Sequence, residues 1–405
     1  MRATNWDSRQ EETSIGKAVR SLRNMEGDEH RSPGIARRPA CSGQAGRRRG
    51  GHDVSIRFGV VGLGMIADFH ARALHAAGGA ELVACASRST ARAAQFGARH
   101  GCAAYGDMTE FLRHPGLQAV SVCSPSGAHL EPALAAIDAG KDLIVEKPLE
   151  VTRERCTRLL EAADRRGVTV AGIFPSRFLP VSRLIKEAVD AGRLARLVLG
   201  NAYVKWHRTQ QYYDDGGWHG TRRLDGGGAL MNQSIHAIDL LQWFMGPAAR
   251  VISATATLGH HGIEVEDTGA AVVQFAGGAL GTIEGCTAAW PGFPQRVEIY
   301  GTAGSVASVQ DRLEHWTFAD EHPGDAAVRA RHGQVAASAG GASNPAGIGI
   351  EGHQAQFEDF AQALQRGRAP AVDGAEACKA VNIVLAIYES ARTGQPVDPR
   401  TGTAA

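Results

Sequence analysis

The 405-residue chain reads as an α/β protein: a doubly wound parallel sheet, followed by an α+β region built on a large, mostly antiparallel open sheet. Three observations predict this. From Ile56 onward, short and nearly continuous apolar runs alternate with amphipathic helical stretches, the pattern of parallel strands covered on both faces. The first run, Phe58-Gly-Val-Val-Gly-Leu-Gly-Met-Ile-Ala67, breaks at a glycine turn and at once reads as a helix. Beyond about Leu179 the rhythm changes to strands joined by short turns such as Ala276-Gly277-Gly278, which marks antiparallel pairing.

In chain order, residues 1–54 form an extension rich in Arg, Ser, Gly and Glu that is expected to be disordered. No apolar segment follows its early arginines, so a secretory leader is not expected. At roughly 100 to 200 residues per domain the remainder suits two cores, and the change of rhythm divides them into 55–178 and 179–405. Strands are expected at Arg57 to Val61, Leu82 to Ala86, Ala119 to Cys123, Leu143 to Val145 and Val168 to Ala171, with helices at Ala128 to Ala139 and Thr152 to Arg166. The second region should run helix (Val181 to Ala191), strand (Arg196 to His207), a loop rich in Gly, Tyr and Asp, and helix (about Gly228 to Phe244). Strands follow at Val251 to Leu258, Gly269 to Phe275, Ala279 to Thr287 and Gln295 to Tyr300. A Gly/Ala/Ser-rich stretch, Ala336 to Gly349, reads as a mobile loop before two last helices, Gln354 to Gln365 and Ala375 to Thr393, the second closed by Gly394.

Composition narrows the function. Hydrophobic residues at 43% and charged ones at 21% are those of an ordinary globular protein, with no segment for a membrane. A formal net charge of +1 argues against a dedicated nucleic-acid binder. The seven cysteines are scattered, odd in number and contain no C-x-x-C pair, so a reduced cytoplasmic protein without a metal site is expected.

The glycine turn points to chemistry. Gly62 permits the turn, Gly64 lets a ligand approach the backbone, and Ala67 lets the helix pack closely on the strand. With Met65 and Ile66 these residues open the helix, whose N-terminus suits a pyrophosphate, so a Rossmann dinucleotide site is expected here. The carboxylate that would hold the adenine ribose at the end of the second strand is missing. Ser87 and Arg88 stand there instead, with Arg92 one helical step on, a set able to receive a 2′-phosphate; NADP is therefore preferred over NAD. On the other reading, Arg88 and Arg92 are solvated surface charges and NAD binds without the carboxylate.

Two clusters remain. Glu146-Lys147-Pro148 closes a strand on the same side of the sheet as the glycine turn, and Asn232, His236 and Asp239 share one stripe of the helix in the second region. Oxidising a secondary alcohol needs a proton acceptor, which histidine can be, and a fixed ammonium to stabilise the developing alkoxide. Taken singly, His236 reads as a core histidine satisfied by Asp239, and Lys147 as a surface cation at a sheet edge.

Together these segments resemble the Gfo/Idh/MocA family of NAD(P)-dependent sugar and cyclitol oxidoreductases. The resemblance runs from about Ile56 to the C-terminus through Gly62-Leu-Gly-Met-Ile-Ala67, Cys123-Ser-Pro-Ser-Gly-Ala-His129, Glu146-Lys-Pro148 and Gly226-Gly-Gly-Ala-Leu-Met-Asn-Gln-Ser-Ile-His-Ala-Ile-Asp239. It implies that Lys147 and His236 flank the substrate hydroxyl, and that Pro125 and Glu146, with Ser124, Ser126 and His129, line the cofactor site. It also implies homodimers or homotetramers. Two positions depart from the pattern: Asn232 replaces a common aspartate, and Ser126 a common asparagine. Trp206, Trp218 and the basic and aromatic residues around them, with Arg177, are candidates for a carbohydrate or polyol substrate, since aromatic faces stack on sugar rings. Of these and their neighbours, Arg177, His353 and Gln356 are the weaker candidates. Some relatives of this fold cleave glycosides through transient oxidation, and others act as cofactor-sensing regulators; the presence of Lys147 and His236 argues against the latter.

Overall fold

The computed structural model describes residues 55–214, 217–333 and 349–405. The expected disordered extension and nearly all of the expected mobile loop lie outside these residues. The first sheet contains β1 (Ile56–Val61), β2 (Ala80–Ala86), β3 (Ala103–Tyr105), β4 (Ala119–Val122), β5 (Asp142–Val145) and β6 (Val170–Gly172). They pair in the order β3-β2-β1-β4-β5-β6, all in parallel. Strand order reverses between β1 and β4, which opens a crevice at the carboxyl ends of the strands, where ligands of such sheets bind. Phe58, Val60, Val120, Val122, Leu143 and Val145 are fully buried, as expected of strands covered on both faces. β3 was not foreseen: it has three residues at the sheet edge, none of them fully buried, and so leaves no apolar run to read.

Local chemistry sets the helix limits. Ser89, Asp107 and Thr152 each accept a backbone N–H three residues on, at the starts of Thr90–His100, Met108–Leu112 and Arg153–Arg166. Gly101, Gly167 and Gly394 close helices in the left-handed conformation.

The second sheet is built from β7 (Leu197–Lys205), β8 (Ala248–Ala256), β9 (Thr268–Phe275), β10 (Leu280–Cys286), β11 (Arg296–Gly301), β12 (Gly304–Val309) and β13 (Arg312–Phe318). Its order is β13-β12-β11-β7-β10-β9-β8, antiparallel except where β7 meets β10. The β12–β13 hairpin is absent from the sequence reading because its turn places Gln310, not glycine, at positive φ (55°). The short helices Gln210–Asp214 and Asp325–His332 were also not foreseen. One face of the sheet is covered by the helix Ile235–Met245: a Cβ on Gly200 of β7 would lie 2.7 Å from Met245, so glycine makes room there. The opposite face is open, and Leu199, Val272 and Leu280 are exposed on it.

The expected helix from Gly228 to Phe244 is two pieces. Residues Ala229–Ser234 form a π-helical turn, and a regular helix begins at Ile235. The widened turn removes Asn232 from the stripe that 3.6-residue spacing predicts for Asn232, His236 and Asp239. Of the last two helices, Glu351–Arg366 returns to the first sheet and the helix Met65–Ala76, while Gly374–Thr393 lies mainly against β8 and Ile235–Met245 and touches β6. Phe357 and Phe360 pack on Phe58 with ring centroids 5.5 and 6.0 Å apart, and Gln356 bridges the N–H of Phe174 and the carbonyl of Gly172. Among the described residues, no helix is long and apolar enough to cross a membrane.

Candidate active site

The glycine turn has the form a dinucleotide needs. Gly62 has φ +88°, and a Cβ there would lie 2.5 Å from the backbone nitrogen of Ser124, so no other residue fits without movement. A Cβ on Gly64 would meet nothing within 4 Å; the surface beside it is open to a ligand. The helix Met65–Ala76 starts at Gly64 without a side-chain cap, leaving its N-terminal dipole to whatever binds there. Ala67 is fully buried against the sheet, while Met65 is exposed and Ile66 half-buried beside the turn. At the carboxyl end of β2, Ser87 is half-buried and Arg88 and Arg92 are exposed, Arg92 in the first turn of Thr90–His100.

Across the crevice, the loop after β4 is held by its own hydrogen bonds. Ser124 Oγ donates to the carbonyl of Ala128 (2.8 Å), Pro125 is half-buried and Ser126 buried. His129 was expected to touch cofactor. Its ring nitrogens instead lie 2.9 Å from the carbonyl oxygens of Pro148 and Ser124, so the buried ring ties this loop to the Glu146-Lys-Pro segment and has no nitrogen left for a ligand.

Glu146 is likewise engaged. Its Oε1 accepts from His70 Nε2 (2.7 Å), whose Nδ1 reaches Ser121 Oγ at 2.7 Å, and its Oε2 accepts from the N–H of Lys147 (2.9 Å). Burial opposes charge on His70, but Cys123 and Glu146 outweigh it and raise its pKa to about 10. Burial would raise Glu146, yet His70 and the cations around it hold it down to about 2. This is a buried ion pair that fixes the carboxylate behind the crevice. His353 Nε2 lies 3.9 Å from the same oxygen, so His70, Glu146 and His353 bring possible metal-ligand atoms within 4.8 Å of one another. The two closest are already hydrogen-bonded to each other.

Lys147 is not a surface cation. Its ammonium reaches the second region, donating to the carbonyl of Asn232 (2.8 Å) and to the Asn232 side-chain oxygen (3.1 Å). Burial lowers its pKa, opposed by Glu146 and Asp225 and reinforced by Arg208. His236 is near enough for the two groups to sense each other: burial first, and the charge of Lys147 second, push the imidazole down to about 3. Nor is His236 satisfied by Asp239. Its Nδ1 is buried without a hydrogen-bond partner, and Asp239 instead receives both arms of Arg177 at 2.7 and 2.6 Å. Arg177, expected at the substrate, is spent on Asp239 and Glu376 and is a buried structural cation.

The aromatic loop forms one wall. Trp218 packs on His219 (3.9 Å between centroids), which stacks on Tyr212 (4.4 Å). Gln233 receives one arm of Arg208 (2.8 Å) and donates to the Tyr212 hydroxyl (3.1 Å). Trp206 is buried beneath the Arg208 guanidinium, 5.0 Å away, and serves as its support. Burial, Lys147 and Arg208 lower His219 to about 4. Sequence reading missed Asp225 and His70, which belong to none of the quoted motifs, and gave no role to Gln233 although it lies within one.

The fold agrees with comparisons to known proteins. Residues 56–174 match the oxidoreductase family with an NAD-binding Rossmann fold, and residues 182–307 match the GFO/IDH/MocA C-terminal domain. The WlbA dehydrogenase of Bordetella pertussis, solved with NADH and UDP-GlcNAcA, is 31% identical, with a TM-score of 0.75 over 85% of this chain and 98% of its own. The scyllo-inositol 2-dehydrogenase (NAD(+)) of Bacillus subtilis is 24% identical over 84% of this chain and 96% of its own. The D-xylose 1-dehydrogenase (NADP(+)) 2 of Haloferax volcanii is 28% identical over 78% and 92%. Family matches along both regions make this chain a member of the Gfo/Idh/MocA family, an NAD(P)-dependent oxidoreductase acting on CH–OH groups.

Proposed function

We propose that the chain oxidises or reduces one secondary alcohol of a sugar, sugar acid or cyclitol, with Lys147 and His236 on either side of the reacting oxygen. The observation that carries this reading is the hydrogen bonding of Lys147 Nζ to Asn232, which brings an ammonium from the cofactor-binding sheet beside the buried, uncharged imidazole of His236. The bound nicotinamide supplies hydride exchange. The ammonium lowers the affinity of the substrate oxygen for its proton, and His236, neutral at physiological pH, receives that proton. The burial that keeps His236 neutral also makes it a weak base, so it acts only on a hydroxyl already acidified by Lys147.

Ser87, Arg88 and Arg92 support a preference for NADP, because they put two cations and no carboxylate at the end of β2. Trp218, His219 and Tyr212 offer stacked rings to a sugar, and Arg208 beside Lys147 favours substrates that carry a carboxylate. The open face of the second sheet, with Leu199, Val272 and Leu280, suits self-association. The described cysteines are free thiols, in keeping with a cytoplasmic enzyme.

A screen of uronates, aldoses, anhydrosugars and cyclitols, following reduction of NAD and NADP separately, tests the reading. Net nucleotide reduction with at least one carbohydrate is expected. Substrate turnover without it, or none with any member, would overturn it.

A further inference from the structure

We propose that Asp225 is a positioning residue of the reactive site: it fixes the Asn232 amide so that its oxygen meets Lys147, and through that amide returns to the ammonium the negative charge position 232 lacks. The inference rests on the reading of Lys147 given above.

Asp225 is 1% exposed. One carboxylate oxygen accepts from Asn232 Nδ2, and the other accepts from the N–H of Gly220 (2.9 Å). The orientation of the amide follows from its neighbours, since only the NH2 can face a carboxylate and only the oxygen can face an ammonium. The line Asp225, Asn232, Lys147 is therefore directional, and turning the amide over would set NH2 against ammonium.

The chain is built to make this contact. Gly226 has φ +77°, and Cβ atoms there and at Gly228 would lie 2.3 Å from Val151 and 1.9 Å from the carbonyl of Glu266, so only glycines let the strand of residues fold back. Glu266 clamps the turn by accepting from the N–H groups of Gly228 (3.0 Å) and Leu230 (2.8 Å). An aspartate at 232 would give Lys147 a direct carboxylate. Here the carboxylate stands one side chain further back, and Lys147 keeps both a neutral acceptor at contact distance and a charge behind it.

Other charged and titratable groups face Asp225: Lys147 across the amide, His219 Nδ1 at 4.0 Å, Glu266, and the hydroxyls of Tyr212, Tyr213 and Tyr388. Burial raises the Asp225 carboxyl to about 7 against the hydrogen bonds it accepts. Its charge is thus present above about pH 7 and lost below.

The test needs no substrate. Competitive acetylation of the full-length protein with acetic anhydride, read at the Lys147 peptide by mass spectrometry over a neutral to alkaline series, reports how readily the ammonium loses its proton. At the alkaline end of the series, above about pH 8, where the Asp225 carboxylate is charged, Asp225→Asn should make Lys147 about 10-fold more reactive, and the double variant Asp225→Asn, Asn232→Asp should restore wild-type reactivity. With a turned-over substrate, kcat/KM of Asp225→Asn should fall about 10- to 100-fold while NADPH affinity holds. Should Asp225→Asn fail to fold, Asn232→Ser cuts the same line from the other side and must give the same gain in reactivity. Unchanged Lys147 reactivity in the soluble variant overturns the inference. Loss of the proposed function would look different: Lys147→Met would turn over normally whatever the acetylation result.

Discussion

The two sides of the crevice are made in opposite ways. The first-sheet side offers a dinucleotide mainly backbone, a glycine turn and a bare helix start, and behind it Glu146 is paired with His70 and His129 with two carbonyls. On the second-sheet side the polar groups are held out of balance. His236 has a buried nitrogen without a partner, and Asp225 is a buried carboxyl pushed up to about 7. Binding can be left to the backbone, whereas proton transfer needs side chains whose charge is costly where they stand.

The contrast fixes the order of expected effects. Lys147→Met should reduce turnover by about 10²- to 10⁴-fold and leave the dissociation constant for NADPH, read by nicotinamide fluorescence, nearly unchanged. Arg177→Met leaves Asp239 buried without its cation. Denaturant unfolding should then show a loss of about 3 to 5 kcal/mol, with the rate per folded molecule retained, since this pair supports the helix that carries His236 without touching substrate. Gly62→Ala has the reverse signature: a strained left-handed residue and a clash with the Ser124 backbone should raise the NADPH dissociation constant by about tenfold or more while His236 chemistry stays intact. Arg88→Ala with Arg92→Ala should lower the ratio of NADP to NAD specificity constants by about tenfold; an unchanged ratio would remove the proposed clamp.

The smallest effect is on stability. The folded-state pKa values of His236 and His353 lie near 3 and 4, below that of an exposed histidine, mainly through burial. As pH falls through about 6.5 the unfolded chain takes up protons at these two positions that the folded chain refuses, so their contribution to stability is complete above that point and declines toward pH 4, while His70, raised to about 10, contributes in the opposite sense on the alkaline side. Melting temperature against pH should show this slope, and His353→Phe should flatten it.

What the sequence discloses divides along the same line. The glycine turn, the alternation of strands and helices, and the Glu146-Lys-Pro segment are legible because each is local: the residue types carry the backbone geometry themselves. The π-helical turn at Ala229–Ser234 is not, since it follows from the way Glu266 seizes the turn from 36 and 38 residues away. His70 reads as an ordinary helix residue until β5 sets Glu146 against it, 76 positions on. Arg177 and Asp239, 62 apart, were assigned to substrate and to His236 and turn out to satisfy each other. Asp225 is only seven residues from Asn232, yet the glycines between them erase any period that would have joined the two. β12 and β13 were passed over because a glutamine makes their turn.

The central claim is that Lys147 and His236 act on one oxygen as a unit. A double-mutant cycle on kcat/KM, with Lys147→Met, His236→Ala and both together, measures this most directly. The account predicts large losses in each single variant and little further loss in the double. Losses that simply add, or a single variant that turns over at the wild-type rate, would contradict it.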